Sequence, residues 1–318
     1  DLFLEAGLAG TKSDARQALV LYSEGARYWH VFRPVVEALE RRGLSALYLT
    51  SGQDDPGLNR PEGSCVRTKF IGSGNVAYAR LNMLDADTVL MTTPGLDVYQ
   101  LKRSKKVRYY VHLLHAVDDA TSYRLFGLDY FDAVILSGPH QENSIRKLEE
   151  LRALPSKALP ILGCTYLDEY EAQLAGFEKR AGTGGKQTVL VAPSWGPSGL
   201  LSRYGLDLLL PLAKSGMNVI IRPHPQSGIS EADMLKRMKD TLSAYATVSW
   251  DREPENLKAL RVADVLVSDF SGIVFDYAFL IAGPILYALA DYDNRMYDAS
   301  DIPEEAWKFK AIRELGTE

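Results

Sequence analysis

Cysteine is scarce here: Cys65 and Cys164 are the only two in 318 residues, far apart and in no CxxC pair. Neither a disulfide framework nor a zinc site is suggested, and a reducing compartment is the default. A strong excess of one charge is also missing. The formal net charge is −5, which argues against a surface built throughout to hold nucleic acid, although a local basic patch stays open. No apolar run is long enough to read as a membrane span. The longest, from Ile273 to Ala290, contains Asp276 and the Gly283-Pro284 break, as a buried helix followed by a strand would. Short repeats and low-complexity tracts are absent too, which excludes solenoids and extended linkers. The chain opens on Asp1 rather than methionine, leaving an upstream signal or anchor an open possibility.

What remains is the composition of a soluble globular protein, 46% hydrophobic and 24% charged, with length enough for two cores. Apolar runs at 18–22, 46–50, 88–91, 107–112 and 133–137 read as strands. Helical patterns lie between several of them, such as 33–43 with Val35, Val36 and Leu39 on one face. The alternation resumes at 188–193, 218–223, 246–250, 264–269 and 284–289. Strands apolar on both faces and separated by helices imply parallel sheets covered on both sides. The expected fold is α/β: two Rossmann-like, doubly wound domains facing a cleft, over 1–170 and 186–318, joined by a glycine-rich linker at 171–185.

In such sheets ligands bind beyond the carboxyl ends of the strands. Three strand ends in the second half carry polar groups: Ser194-Trp195-Gly196, Arg222-Pro223-His224-Pro225, and Ser268-Asp269-Phe270-Ser271-Gly272. Together they suit an anion. Ser271 and Gly272 open a helix whose free N–H groups and dipole favour phosphate. The plainer alternative is that Asp269 or Ser271 merely caps that helix, and that Arg222 and His224 belong to a surface loop. The prolines around His224 would hold its backbone in one conformation.

The motifs "VLVAPSW", "RPHP", "SDFSGIVFDYAFL" and "GPILYALADYDNRMYD", in this order from Val189 to Asp298, resemble the carboxyl-terminal half of the CDP-glycerol glycerophosphotransferases, the teichoic-acid polymerase and primase family. The resemblance implies a GT-B fold, in which the second domain binds the nucleotide donor and the first presents the acceptor and a base. It also implies attack of an acceptor hydroxyl on the glycerol-bearing phosphorus of CDP-glycerol, with release of CMP. His224 matches the histidine that contacts the donor pyrophosphate, with Arg222 beside it; Ser194, Ser268, Ser271 and the Gly272 amide are the expected phosphate contacts. His224 would counter the charge growing on the leaving CMP. Asp269 is expected to orient the loop. No cofactor and no obligatory metal is expected.

For the base, "VRYYVHLLHA" stands where the family has a strand and a tryptophan-histidine-glycine loop. His115 aligns with that histidine and has a side chain suited to proton abstraction, but Leu114 and Ala116 replace the tryptophan and glycine. His112 is the competitor, read as a core histidine; Asp118 and Asp119 either orient the imidazole or cap a helix. Tyr28, Trp29 and His30 line the acceptor side or pack at a helix start. The Gly72-Ser73-Gly74 loop is weak evidence for phosphate, and His140 is expected to begin a helix. The run "KRSKKVR" (102–108) is a solvated face or a contact for anionic lipid. The expected partners are a nucleotide-activated donor, a glycan or lipid-linked acceptor and, peripherally, the inner face of the cytoplasmic membrane; the pathways implied are teichoic-acid or capsule synthesis in the cell envelope. A GT-B glycosyltransferase or epimerase using a UDP- or GDP-sugar, and a nucleotide-binding module without turnover, remain alternatives.

Overall fold

The structure, a computed structural model, describes residues 16–175, 185–253, 255–290, 293–295 and 297–318. Of the expected linker, 176–184 lie outside the described residues, as do Asp291, Tyr292 and Met296 of the last motif. Two compact units are present: residues up to Glu169 with Arg295–Pro303, and Tyr170–Asn294 with Glu304–Glu318.

The first unit holds six parallel strands, β1 (Gln17–Ser23), β2 (Ala46–Thr50), β3 (Val66–Phe70), β4 (Asp85–Met91), β5 (Lys106–Leu113) and β6 (Ala133–Ile135), in the order β3-β2-β1-β4-β5-β6. In the central strands Val20 pairs with Leu47 on one side and Val89 on the other. Val20, Val89, Met91, Tyr110 and Val134 are buried together, and burying side chains of this size stabilises by roughly 1.5–3 kcal/mol each. The edge strand β3 has no counterpart in the sequence reading. Its exposed Arg67 and Lys69 alternate with buried Val66 and half-buried Thr68 and Phe70, so it lacks the continuous apolar run of an interior strand and carries the charges that protect an edge. The first helix spans Trp29–Arg41, starting earlier than its periodicity predicts, and buries Val31, Phe32 and Val36.

The second unit repeats the plan with β7 (Thr188–Val191), β8 (Asn218–Ile221), β9 (Val248–Trp250), β10 (Val265–Ser268) and β11 (Ile285–Tyr287), all parallel, in the order β11-β10-β7-β8-β9. Every residue of β7 is buried, as a strand covered on both faces requires. Both sheets are wound outward from their first strand. The strand order therefore reverses between β1 and β4 and again between β7 and β10, which are the places where such sheets bind ligands.

Arg295–Pro303 interrupts the second unit in the chain yet belongs to the first. Asp298, fully buried, accepts from the Phe126 N–H at 2.7 Å and pairs with Arg152 at 2.8 Å. The same guanidinium reaches Asp129 at 2.7 Å and Asp301 at 2.6 Å. Burial drives the Asp298 pKa up to about 6 against the opposing pull of Arg152.

Candidate functional site

At the carboxyl edge of the second sheet, three loops are fastened by one side chain. Asp269, immediately after β10, is fully buried. It accepts from the N–H groups of Ser194 at 2.8 Å, Leu200 at 2.8 Å and Ser271 at 3.1 Å. Burial raises its pKa while the amides oppose that shift. Leu200 opens the helix Leu200–Lys214, so a carboxylate stands at a positive helix end, where it is favoured. The loop before this helix closes tightly. A Cβ at Gly199 would lie 2.8 Å from the Ser194 carbonyl oxygen, so glycine is needed there.

With Asp269 occupying the Ser271 N–H, the next two amides are those of Gly272 and Ile273. They precede the first helical bonds, in which Val274 donates to Ser271 and Phe275 to Gly272, and they are the unsatisfied N–H groups every helix start leaves. The helix, Ile273–Leu280, has no side-chain cap. The capping alternative is met one turn earlier, where Asp269 accepts from the Ser271 N–H. Ser271 lies half-buried at this end.

Two of the expected phosphate contacts are engaged within the protein. Ser268 is fully buried and its hydroxyl donates to the Ala192 carbonyl at 2.7 Å, tying β10 to the end of β7 instead of facing a ligand. The Ser194 amide is taken up by Asp269. Arg222 pairs with Asp251 and donates to the Glu253 carbonyl at 2.8 Å, so its charge is balanced locally and it braces the loop after β8. His224 is exposed, and its Nδ1 accepts from the Gln226 N–H at 3.1 Å. A nitrogen that accepts carries no proton, so the proton is on Nε2. Burial lowers its pKa while Glu231 pulls it upward. Trp195 lies 6.4 Å from His224, ring to ring.

At the carboxyl edge of the first sheet, the histidines gather. His112, in β5, is fully buried, and its Nε2 lies 3.0 Å from the Tyr123 hydroxyl. The same hydroxyl is 3.2 Å from Nδ1 of His115. His115 is half-buried, with the Tyr28 ring edge-on at 5.1 Å. Burial, then His30 and Arg27, brings its pKa down to about 4. His30, whose ring meets Tyr166 at 5.6 Å, is lowered to about 4 by burial. Both imidazoles are thus neutral at pH 7 and able to accept a proton.

The loop after His115 is held from the helix His140–Leu151, which begins at the histidine expected to start it. His140 Nε2 donates to the Val117 carbonyl at 2.8 Å, and Gln141 donates to the carbonyls of Ala116 at 3.2 Å and Asp118 at 2.8 Å. Tyr123 was not anticipated. It sits in an irregular loop, and the nearest signal was the density of aromatic and histidine residues around 108–123. Among the described residues no group of three or more His, Cys, Asp or Glu side chains is placed to hold a metal, and no helix is long and apolar enough to cross a membrane.

Two parallel, doubly wound sheets with ligand edges of this kind define the GT-B class. Solved structures agree on the fold. The wall teichoic acid polymerase TagF, soaked with CDPG, aligns with a TM-score of 0.54 at 15% identity, covering 90% of this chain and 74% of the other. The UDP-GlcNAc 2-epimerase of Neisseria meningitidis, bound to UDP-GlcNAc, gives 0.55 at 15% identity over 87% and 84%. That of Rickettsia bellii gives 0.58 at 12% identity over 94% and 96%. No curated protein matches the sequence. Residues 166–301 match the family model of the CDP-glycerol:poly(glycerophosphate) glycerophosphotransferases. The resemblance read from the sequence is thereby borne out over these residues.

Proposed function

We propose that the chain transfers glycerol phosphate, or a related polyol phosphate, from a CDP-activated donor to a hydroxyl of a cell-surface glycan or polymer, releasing CMP. The observation that carries this reading is the helix start at Gly272 and Ile273, left open by Asp269 inside the segment that matches the family. The Ser271 hydroxyl, those two amides and the His224 Nε2–H are the donors assigned to the pyrophosphate, all from loops at one edge of one sheet. They would be strongest where charge grows on the leaving CMP phosphate. His115 takes the acceptor proton. As the acceptor oxygen bonds to the glycerol-bearing phosphorus, the bond from that phosphorus to the CMP oxygen breaks, and the proton passes to the imidazole. In this reading the enzyme needs no obligatory metal and works at the inner face of the cytoplasmic membrane on a glycan or lipid-linked acceptor.

Calorimetric titration with CDP-glycerol, CDP, UDP and GDP, on the wild type and on His224→Ala, tests it. The expected result is a preference for the cytidine ligands, weakened about tenfold in the variant, the value of one good hydrogen bond to a charged group. Preference for UDP or GDP would replace this reading with sugar-nucleotide chemistry on the same fold.

A further inference from the structure

Three neighbouring strands of the first sheet begin side by side, β4 at Asp85, β5 at Lys106 and β6 at Ala133. Their starts form the amino edge, whereas His115 lies just beyond the other end of β5. The segments leading into these strands are tied together. Asn82 accepts from the Lys102 N–H at 2.7 Å and donates to the Gln100 carbonyl at 3.0 Å, while Arg103 donates to the Tyr130 carbonyl at 2.6 Å and to Asp132 at 2.8 Å. Held in this way, the edge still turns large apolar side chains to water: Met83 is 63% and Tyr99 61% exposed, and Tyr109 and Tyr130 46% each. Such groups are ordinary when scattered and call for a partner when gathered.

The free charges at this edge are of one sign. Arg16 pairs with Asp87 at 2.7 Å and approaches Asp85 at 3.9 Å, Arg103 pairs with Asp132, and Asp97 accepts from the Arg103 N–H at 2.9 Å. Lys105, Lys106 and Arg108 are exposed and have no carboxylate partner among the described residues. We propose that this edge docks the protein on an anionic lipid bilayer, with these three cations over the headgroups and the tyrosines and Met83 at the interface. Cations close to an anionic surface and amphipathic tyrosine rings at headgroup level are two contacts that a bilayer satisfies together. The chain as a whole carries −5, so a surface of the same sign repels it except at such a patch, and docking is oriented. The edge that carries His115 lies at the far end of the strands and stays free. The docking rests on the membrane placement proposed above, not on the chemistry.

Sedimentation of the full chain with vesicles of phosphatidylserine and phosphatidylcholine in equal parts, against pure phosphatidylcholine, tests it. The wild type should bind the anionic vesicles only, and less tightly as salt rises. Lys105→Ala/Lys106→Ala/Arg108→Ala should lower the partitioning about a hundredfold, since each such cation contributes about fivefold near an anionic surface. The charge-keeping Lys105→Arg/Lys106→Arg/Arg108→Lys should bind as the wild type does, which separates lost charge from lost folding. CMP release from CDP-glycerol, with soluble glycerol as acceptor, should be the same in all three proteins. A wild type that ignores anionic vesicles overturns the proposal together with the membrane placement. If the wild type binds but the alanine variant binds equally well, or the charge-keeping variant loses binding, or Lys236→Ala/Arg237→Ala on the helix Ala232–Leu242 loses as much as the alanine variant, this edge is not the docking surface and the placement stands without it. None of these results bears on the transfer reaction, which CMP release by the wild type judges separately.

Discussion

Replacing Asp269 with asparagine keeps shape and volume but changes which bonds can form. In the wild type one oxygen accepts from Ser194 and Ser271 and the other from Leu200. Asparagine has one carbonyl oxygen, which can keep the first two as neutral bonds, while its NH₂ would meet the Leu200 N–H donor to donor. Hydrogen bonds to charged groups contribute about 1.5–3 kcal/mol each and neutral ones about half that. The gross loss is thus several kcal/mol. Against it stands the relief of no longer burying a charge, whose cost is visible in the raised pKa. A net destabilisation of about 1–3 kcal/mol is left, concentrated at the helix start and the two loops. Since two units need not unfold together, the assay is peptide-resolved hydrogen exchange under native conditions, with calorimetric titration of CDP. Faster exchange around Leu200 and Ser271 and at least tenfold weaker CDP binding are expected. Unchanged exchange at both, or loosened loops with full CDP affinity, would refute the idea that Asp269 builds the anion site through the backbone.

Three further outcomes follow from the same contacts. His115→Ala should leave CDP affinity unchanged and lower CMP release by about 10²–10⁴, the range of a general base; in the wild type the acid limb of kcat/KM should fall near pH 4, where this imidazole becomes protonated, and a limb near 6.5 would contradict the burial argument. Ser268→Ala should cost about 1 kcal/mol of stability through its bond to Ala192 with little effect on donor affinity, whereas Ser271→Ala should do the reverse; equal losses of affinity would restore Ser268 as a ligand. Asp298 has a folded-state pKa of about 6 against an ordinary 3.8, so the folded chain holds its proton more tightly and this group's contribution to stability declines as pH rises from about 4 to 6. Asp298→Asn should flatten that part of the urea-midpoint profile, and an unaltered slope would show that the carboxyl titrates normally.

Most strands were readable because interior parallel strands are apolar on both faces, as β7 is at every position. Edge strand β3 was not, since half its side chains meet water and its charges break the run. The loop after β10 announces itself by Ser-Gly at a helix start, and Asp269, expected to orient that loop, accepts from three backbone amides there. Which neighbouring hydroxyl faces a ligand was beyond the sequence: Ser268 and Ser271 are the same residue three positions apart, and only the carbonyl of Ala192, 76 positions away in the chain, takes the first out of the site. The pairing of Arg222 was hidden for a similar reason, because its partner Asp251 follows the next strand. Tyr123 and Asp298 act wholly through tertiary contacts within irregular segments, where neither periodicity nor local motif marks them.

The two histidines assigned to chemistry differ in what faces Nδ1. At His224 a backbone N–H, that of Gln226, faces Nδ1; the nitrogen must accept, so Nε2 bears a proton and the ring is a donor suited to a phosphate oxygen. At His115 the group facing Nδ1 is the Tyr123 hydroxyl, 3.2 Å away, which can donate or accept. Burial lowers both pKa values, which keeps each ring neutral near pH 7. A histidine with a backbone donor on Nδ1 cannot act as a base through Nε2 until it first loses that bond, and for this reason the proposed function puts His224 with the leaving phosphate and His115 with the acceptor.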